Sequence, residues 1–113
     1  MSAKKNPVEV GSGNVFKDLG LPDAEQRLAK AELARAIRKL LQERDLSQLE
    51  TAELLGITQP DVSDLVLGRL ARFGMERLER FLLALGVDIR IQIGPPRRTR
   101  KRGALTVEVV GAA

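Results

Sequence analysis

Cysteine, histidine, tryptophan and tyrosine are all absent from this 113-residue chain, and phenylalanine occurs only three times. Without cysteine there is no disulfide framework and no thiolate metal site, a composition that a reducing compartment allows. With histidine and tyrosine also missing, the usual general base, thiolate nucleophile and imidazole metal ligands are gone. Carboxylates, Lys and a few hydroxyls remain, so the chain is not expected to be an enzyme and neither a cofactor nor a metal is expected. Asp61 and Asp64 stand three residues apart, but no calcium-loop spacing surrounds them, and a helix N-terminus accounts for acids there. No apolar run approaches the roughly 18 residues needed to span a membrane, and the first residues lack the apolar core of a signal peptide. The expectation is a cytoplasmic protein with no membrane partner. The length suits one small domain with tails and is too short for a two-lobed catalytic cleft.

The formal net charge of +4 is unevenly placed. Residues 14–96 hold 12 basic and 13 acidic side chains, whereas residues 97–102 hold five basic and no acidic ones. General attraction to polyanions would therefore come from the tail or from a locally sorted face.

The organising stretch is 46–68, LSQLETAELLGITQPDVSDLVLG. Its patterning predicts two short helices, Gln48–Leu55 and Gln59–Leu67, separated by Gly56, Ile57 and Thr58. Ser47 with Glu50, and Thr58 with Asp61, each fit the reciprocal capping box that satisfies amide donors at a helix start. Gly56 can take the left-handed conformation that ends the first helix, and Ala52 is small enough for the second to cross close by. That is a helix-turn-helix over residues 47–67. At 100° per residue the second helix places Val62, Leu65 and Val66 on a buried side and Pro60, Ser63, Asp64 and Leu67 on an outward side.

These residues resemble the Xre regulators, the family of the lambda and 434 phage repressors and Cro. The matching positions are Leu46, Ser47, Gln48, Ala52, Gly56, Thr58 and Gln59. The resemblance implies that the second helix enters the major groove of double-stranded DNA while the first crosses the phosphate backbone. It assigns the DNA surface to Gln48, Thr58, Gln59, Pro60, Asp61, Ser63, Asp64 and Arg69, with Arg72 a further candidate beside the backbone. Gln59 suits bidentate contact with adenine, and Ser63 can donate or accept at several base edges. An acid at Asp64 would repel phosphate unless it accepts from a cytosine amino group.

Residues 1–13 show no helical period and read as a flexible arm, with 8–10 a candidate edge strand; Gly11, Ser12 and Gly13 lack the rest of a phosphate-binding loop. Residues 14–86 form the helix-turn-helix domain. In 14–21, Val15, Phe16, Leu19 and Leu21 predict a short turn docked on the core, the alternative being an exposed partner-binding segment. A long helix follows from a cap at Asp23, with Gln26 as returning partner, to Arg44; Leu33, Ile37, Leu40 and Leu41 form its apolar stripe. A loop at 68–74 leads to a helix at 75–85 that ends at Gly86, with Phe73 and Phe81 as core fillers. The period then changes to two: Val87, Ile89, Ile91 and Ile93 alternate with polar residues, as do Leu105, Val107 and Val109, predicting one or two strands in 87–113. A lone strand is marginal in water, so pairing across a two-fold axis is expected, with Ile89, Ile91 and Ile93 as the dimerisation element; an intrachain hairpin is the alternative. The basic loop 94–103 reads either as an arm adding salt-sensitive DNA affinity or as a solubilising loop. With no aromatic interleaved, single-strand stacking is disfavoured.

A second resemblance covers 14–93. The segment carrying Phe16, Asp18, Leu19, Gly20 and Leu21, the run QPDVSDLVLGRL and the terminal apolar alternation are similar to the HigA-type antitoxin branch of the Xre family. It implies a homodimer that represses its own operon at a palindromic operator and neutralises a RelE- or HigB-like toxin. The expected architecture is mainly α, a lambda-repressor-like bundle of four to five helices with a C-terminal β-strand or hairpin. The expected function is sequence-specific transcriptional repression, as the antitoxin of a type II toxin–antitoxin pair. Alternatives are a stand-alone phage-like repressor and a protein-interaction module with weak DNA affinity.

Overall fold

A computed structural model describes residues 14–96, 98 and 102–110 of the chain. Among these residues the chain forms five helices: α1 (Val15–Asp18), α2 (Ala24–Arg44), α3 (Gln48–Leu55), α4 (Gln59–Leu67) and α5 (Met75–Ala84). Residues 1–13, and most of the basic run 97–102, lie outside the described residues.

Helix α2 is the spine of the bundle. It contains no Gly or Pro and is rich in strong helix formers, so 21 residues propagate without interruption over about 31 Å. One face buries Ala29, Leu33, Ala34, Ile37 and Leu41, spaced to fall on a single stripe. Against that face pack α1, α4 and α5. The start of α2 departs from the sequence expectation. Asp23 adopts a left-handed conformation, φ 53°, and its side chain makes no capping hydrogen bond. An N-cap acceptor needs an extended backbone to aim at the amides ahead, and left-handed Asp23 cannot supply it. At the other end, Asp45 turns left-handed at φ 54° and donates its amide to the carbonyls of Leu41 and Gln42, closing the helix where the sequence places its end.

The α2 stripe meets Leu65 from α4, Phe73 from the following loop, and Leu78, Phe81, Leu82 and Leu85 from the α5 region. Phe73 and Phe81 stack edge to face at 5.9 Å, a core pair as their apolar setting predicts. Arg44 donates from Nη2 to the Leu85 carbonyl at 2.6 Å, which ties the end of α2 to the end of α5. Gly86 then turns the chain at φ 87°.

The segment before α2 is docked and exposed at once. Asn14 is buried; its Oδ1 accepts from the amides of Phe16 and Lys17, and its Nδ2 donates to the Ala24 carbonyl. Val15, Leu19 and Leu21 nevertheless remain exposed.

The C-terminal strand expectation requires correction. No strand forms among the described residues: 87–93 and 104–110 do not pair into a ladder. Each lies on helices instead: Val87, Ile89 and Val107 pack against the core, and Leu105, Thr106 and Val107 border a groove with Glu25, Leu28, Ala29 and Glu32 of α2. Period-two patterning specifies extended chain with one apolar face, and here helices receive part of that face. Ile91 and Ile93 project past the core, at 78% and 89% exposure.

The depth of the core sets an expected cost. Leu65→Ala, at a fully buried position, should lower the unfolding free energy by about 3 kcal/mol, whereas Leu83→Ala on the exposed side of α5 should change it by about 0.5 kcal/mol or less. Urea unfolding of both variants checks this.

Candidate nucleic-acid interface

The two helices of the motif are fixed by local chemistry before any packing is counted. At the start of α3 the capping box is complete: Ser47 Oγ accepts from the Glu50 amide at 3.1 Å, and the Ser47 amide donates to Glu50 Oε1 at 2.9 Å. That amide donor, with the Ser47 side chain, holds the Glu50 carboxyl below its ordinary range. At the far end Gly56 sits left-handed at φ 70°, and Ile57 donates back to the Ala52 carbonyl at 3.0 Å. Thr58 then starts α4, its hydroxyl accepting from the Asp61 amide at 3.2 Å. Pro60 falls in the first turn, where a missing amide costs no helical bond.

The faces of α4 follow largely as its spacing requires. Val62 and Leu65 are buried, at 1% and 0% exposure, and Gln59, Pro60 and Leu67 are exposed. Ser63 and Asp64 lie half-buried between the two sides. Val66 is the correction, being exposed where burial was expected. It sits 100° round from Leu65, at the edge of the apolar stripe. There it borders an open cleft of about 330 Å³ shared with Arg38, Gln42, Gln48 and Thr51. Gln48 is exposed at the first position of α3 and Arg69 just beyond the end of α4, so both flank the outward side of α4.

The acids of α4 hold the partners that sequence reasoning missed. The Thr58–Asp61 pair is not a reciprocal box, because the Asp61 carboxylate is drawn elsewhere. Its Oδ1 accepts from Arg72 Nη2 at 2.7 Å and its Oδ2 from Arg77 Nη2 at 3.1 Å. The same Arg72 Nη2 also donates to Asp64 Oδ2 at 3.1 Å, and Arg69 Nη1 stands 3.7 Å from Asp64 Oδ1. Arg77 in turn lies over the Phe73 ring at 4.8 Å and near the Phe81 ring at 5.7 Å. A charge relay therefore runs from the core aromatic pair through Arg77 and Asp61 to Arg72 and Asp64 on the surface. The Asp64 hydrogen bond, followed by the charges of Asp61 and Asp64, pushes the Arg72 guanidinium further toward its protonated form.

Exposed ion pairs are worth at most about 1 kcal/mol each, so this network orients side chains more than it stabilises the fold. Arg77 was not a candidate from sequence. The available signal was an excess of arginine just after a helix carrying two acids, but only the fold brings residues 11 and 16 positions apart into contact. Among the described residues no helix is long and apolar enough to cross a membrane. Of the expected dimerisation residues, which follow α5, Ile89 packs on the core and Ile91 and Ile93 are exposed.

Two comparisons place this geometry. A family model for a helix-turn-helix domain matches residues 15–94. A solved structure assigned to the XRE family of transcriptional regulators superposes with a TM-score of 0.70 at 40% sequence identity, covering 78% of this chain and 99% of that one. No curated protein matches the chain.

The capping box carries a pH signature. A carboxyl whose folded value is depressed contributes stability above its unfolded value, about 4.3, and loses that contribution as the pH falls through the folded value. Thermal melts of the parent and of Glu50→Gln should differ at pH 7 and converge as the pH falls through the acid range below the ordinary glutamate value. A gap that persists to low pH would show that the carboxylate charge is not what the Ser47 amide recognises.

Proposed function

The chain belongs to the helix-turn-helix domain family, in its XRE class, and from this membership we propose that it is a DNA-binding transcriptional regulator that represses its own operon. The observation that carries the reading is the exposed face of α4. Gln59 and Pro60 stand at its start and Ser63 one turn on, with Gln48 at the start of α3 and Arg69 beyond the end of α4. Gln59 offers a donor and an acceptor to an adenine edge, and the Ser63 hydroxyl can serve either role at a neighbouring base. Gln48 and Thr58, at the two helix starts, suit phosphate oxygens, which favour the positive ends of helices.

Operator reading by a short motif usually needs two copies at two half-sites. The exposed Ile91 and Ile93, continuing the alternation of Val87 and Ile89, support a homodimer in which a second copy covers them. Sedimentation of a monomer at micromolar concentration would remove that part of the reading.

The finer assignment is an antitoxin paired with a RelE- or HigB-like toxin. It is supported by the resemblance over residues 14–93 and by the apolar Val15, Leu19 and Leu21 left uncovered beside α1. A stand-alone repressor differs only in having no toxin, and failure of a neighbouring small reading frame's product to co-purify would favour it. A protein-interaction module with weak DNA affinity draws on the exposed Val66 and Leu67 of α4.

The test is binding to the protein's own promoter, with a scrambled duplex beside it, across a salt series. Gln59→Ala/Ser63→Ala should abolish the preference for the promoter, a loss of about 2 to 6 kcal/mol of discrimination if both side chains read bases. Equal binding of both duplexes by parent and variant, falling steeply with salt, would mean that charge alone supplies the affinity and that α4 reads nothing.

A further inference from the structure

The two acids of α4 occupy a face assigned to polyanionic DNA, where an unpartnered carboxylate would repel phosphate. Both are partly desolvated, with side-chain exposures of 15% for Asp61 and 24% for Asp64, and both are bridged by one guanidinium. Arg72 makes both contacts through a single nitrogen, Nη2. Its Nη1 and Nε form no hydrogen bond among the described residues, and its side chain is 68% exposed. The side chain is thus tethered at one corner through Nη2, which leaves Nη1 to donate to a single outside acceptor. Arg77, stacked on Phe73 and bonded to Asp61, fixes one of the two tethering acids from the core side.

We propose that Asp61 and Asp64 serve DNA binding as positioning residues that orient Arg72, whose Nη1 donates to an acceptor on the duplex. The acceptor is a phosphate oxygen or the O6 or N7 of a guanine, each a target for a charged N–H donor. This rests on the proposed DNA-binding function, and the arginine contacts offset the repulsion expected of an acid at Asp64. A free arginine side chain loses rotamer freedom when it binds, and a tether already in place lowers that loss. The local balance also fits the assignment: Arg69, Arg72 and Arg77 face Asp61 and Asp64, three positive charges against two negative, so the cluster remains attractive to DNA.

The experiment is a double-mutant cycle on DNA affinity with Arg72→Ala, Asp64→Asn and the double variant. Each is measured on promoter and scrambled duplexes across a salt series, with a thermal melt of each protein. Asp64→Asn is nearly isosteric and leaves the Asp61–Arg77 bond in place, so the fold should persist. Arg72→Ala should weaken binding severalfold, and Asp64→Asn should weaken it only while Arg72 is present, so that the two changes are not additive. If the acceptor is a phosphate oxygen, Arg72→Ala weakens both duplexes alike and reduces the log–log salt slope by about 0.9. If it is a guanine atom, the loss is confined to promoter duplexes that keep one particular G·C pair. A purely structural ion network would change melting without changing the salt slope or producing coupling in affinity. That result, or an Arg72→Ala protein that binds as the parent does, overturns the proposal alone. A parent that binds no duplex overturns it together with the function on which it rests.

Discussion

A nine-residue helix cannot hold itself in water, since helices below about 12 residues do not repay their nucleation cost. The candidate reading helix α4 has that length, so every property of the interface depends on what fixes α4 to the rest of the chain. Leu65 fastens it to the core shared by α2 and α5, Val62 is buried beside it, and α4 packs against both α3 and α2. Thr58 closes its start and left-handed Gly68, at φ 78°, closes its end. Burial at about 2 kcal/mol per side chain outweighs a cap at about 1 kcal/mol and a surface ion pair below that. The core therefore sets where α4 lies, the caps set its length, and the arginines set what its exposed side presents.

The same ranking separates two kinds of charge in the protein. The basic surplus lies in residues 97–102, while the helical domain has nearly equal numbers of acids and bases. Around α4 that balance is resolved locally into a bonded cluster, in which Asp61 and Asp64 are spent on arginines and are no longer isolated negative charges. Base-edge contacts from such a face would come from Gln59 and Ser63, while the arginines can serve phosphate contacts or, at Arg72, a guanine edge.

Local rules made much of this readable from the sequence. Ser47 with Glu50, Thr58, Gly56 and the uninterrupted run up to Arg44 each act within four residues, and the structure forms the α3 box, the α4 start, the turn and the end of α2 where those rules place them. Phe73 and Phe81 were legible as core residues because they flank and join the apolar stripe of the helix at 75–85. What escaped is nonlocal or marginal in angle. The partners of Asp61 come from the following loop and from α5, Val66 lies just past the edge of the stripe, and Asp23 uses a left-handed backbone that its residue type permits without signalling. For the candidate site, Gln48, Thr58, Gln59, Pro60 and Ser63 fall on one motif as read, whereas the roles of Arg72 and Arg77 required the fold. The alternation in 87–93 specified extended chain, but pairing belongs to two segments and cannot be read from one.

The surface proposed to meet DNA comprises the starts of α3 and α4 and the outward side of α4. Titration of the isotopically labelled full chain with its promoter duplex, followed by amide chemical shifts, tests it most directly. The largest shifts should fall on Gln48, on Thr58, Gln59, Ser63 and Asp64, and on Arg69 and Arg72, with α5 amides such as Leu83 little changed. Shifts confined to Arg98, Arg102 and the residues beside them, with α4 unmoved, would contradict it and assign DNA binding to the basic tail.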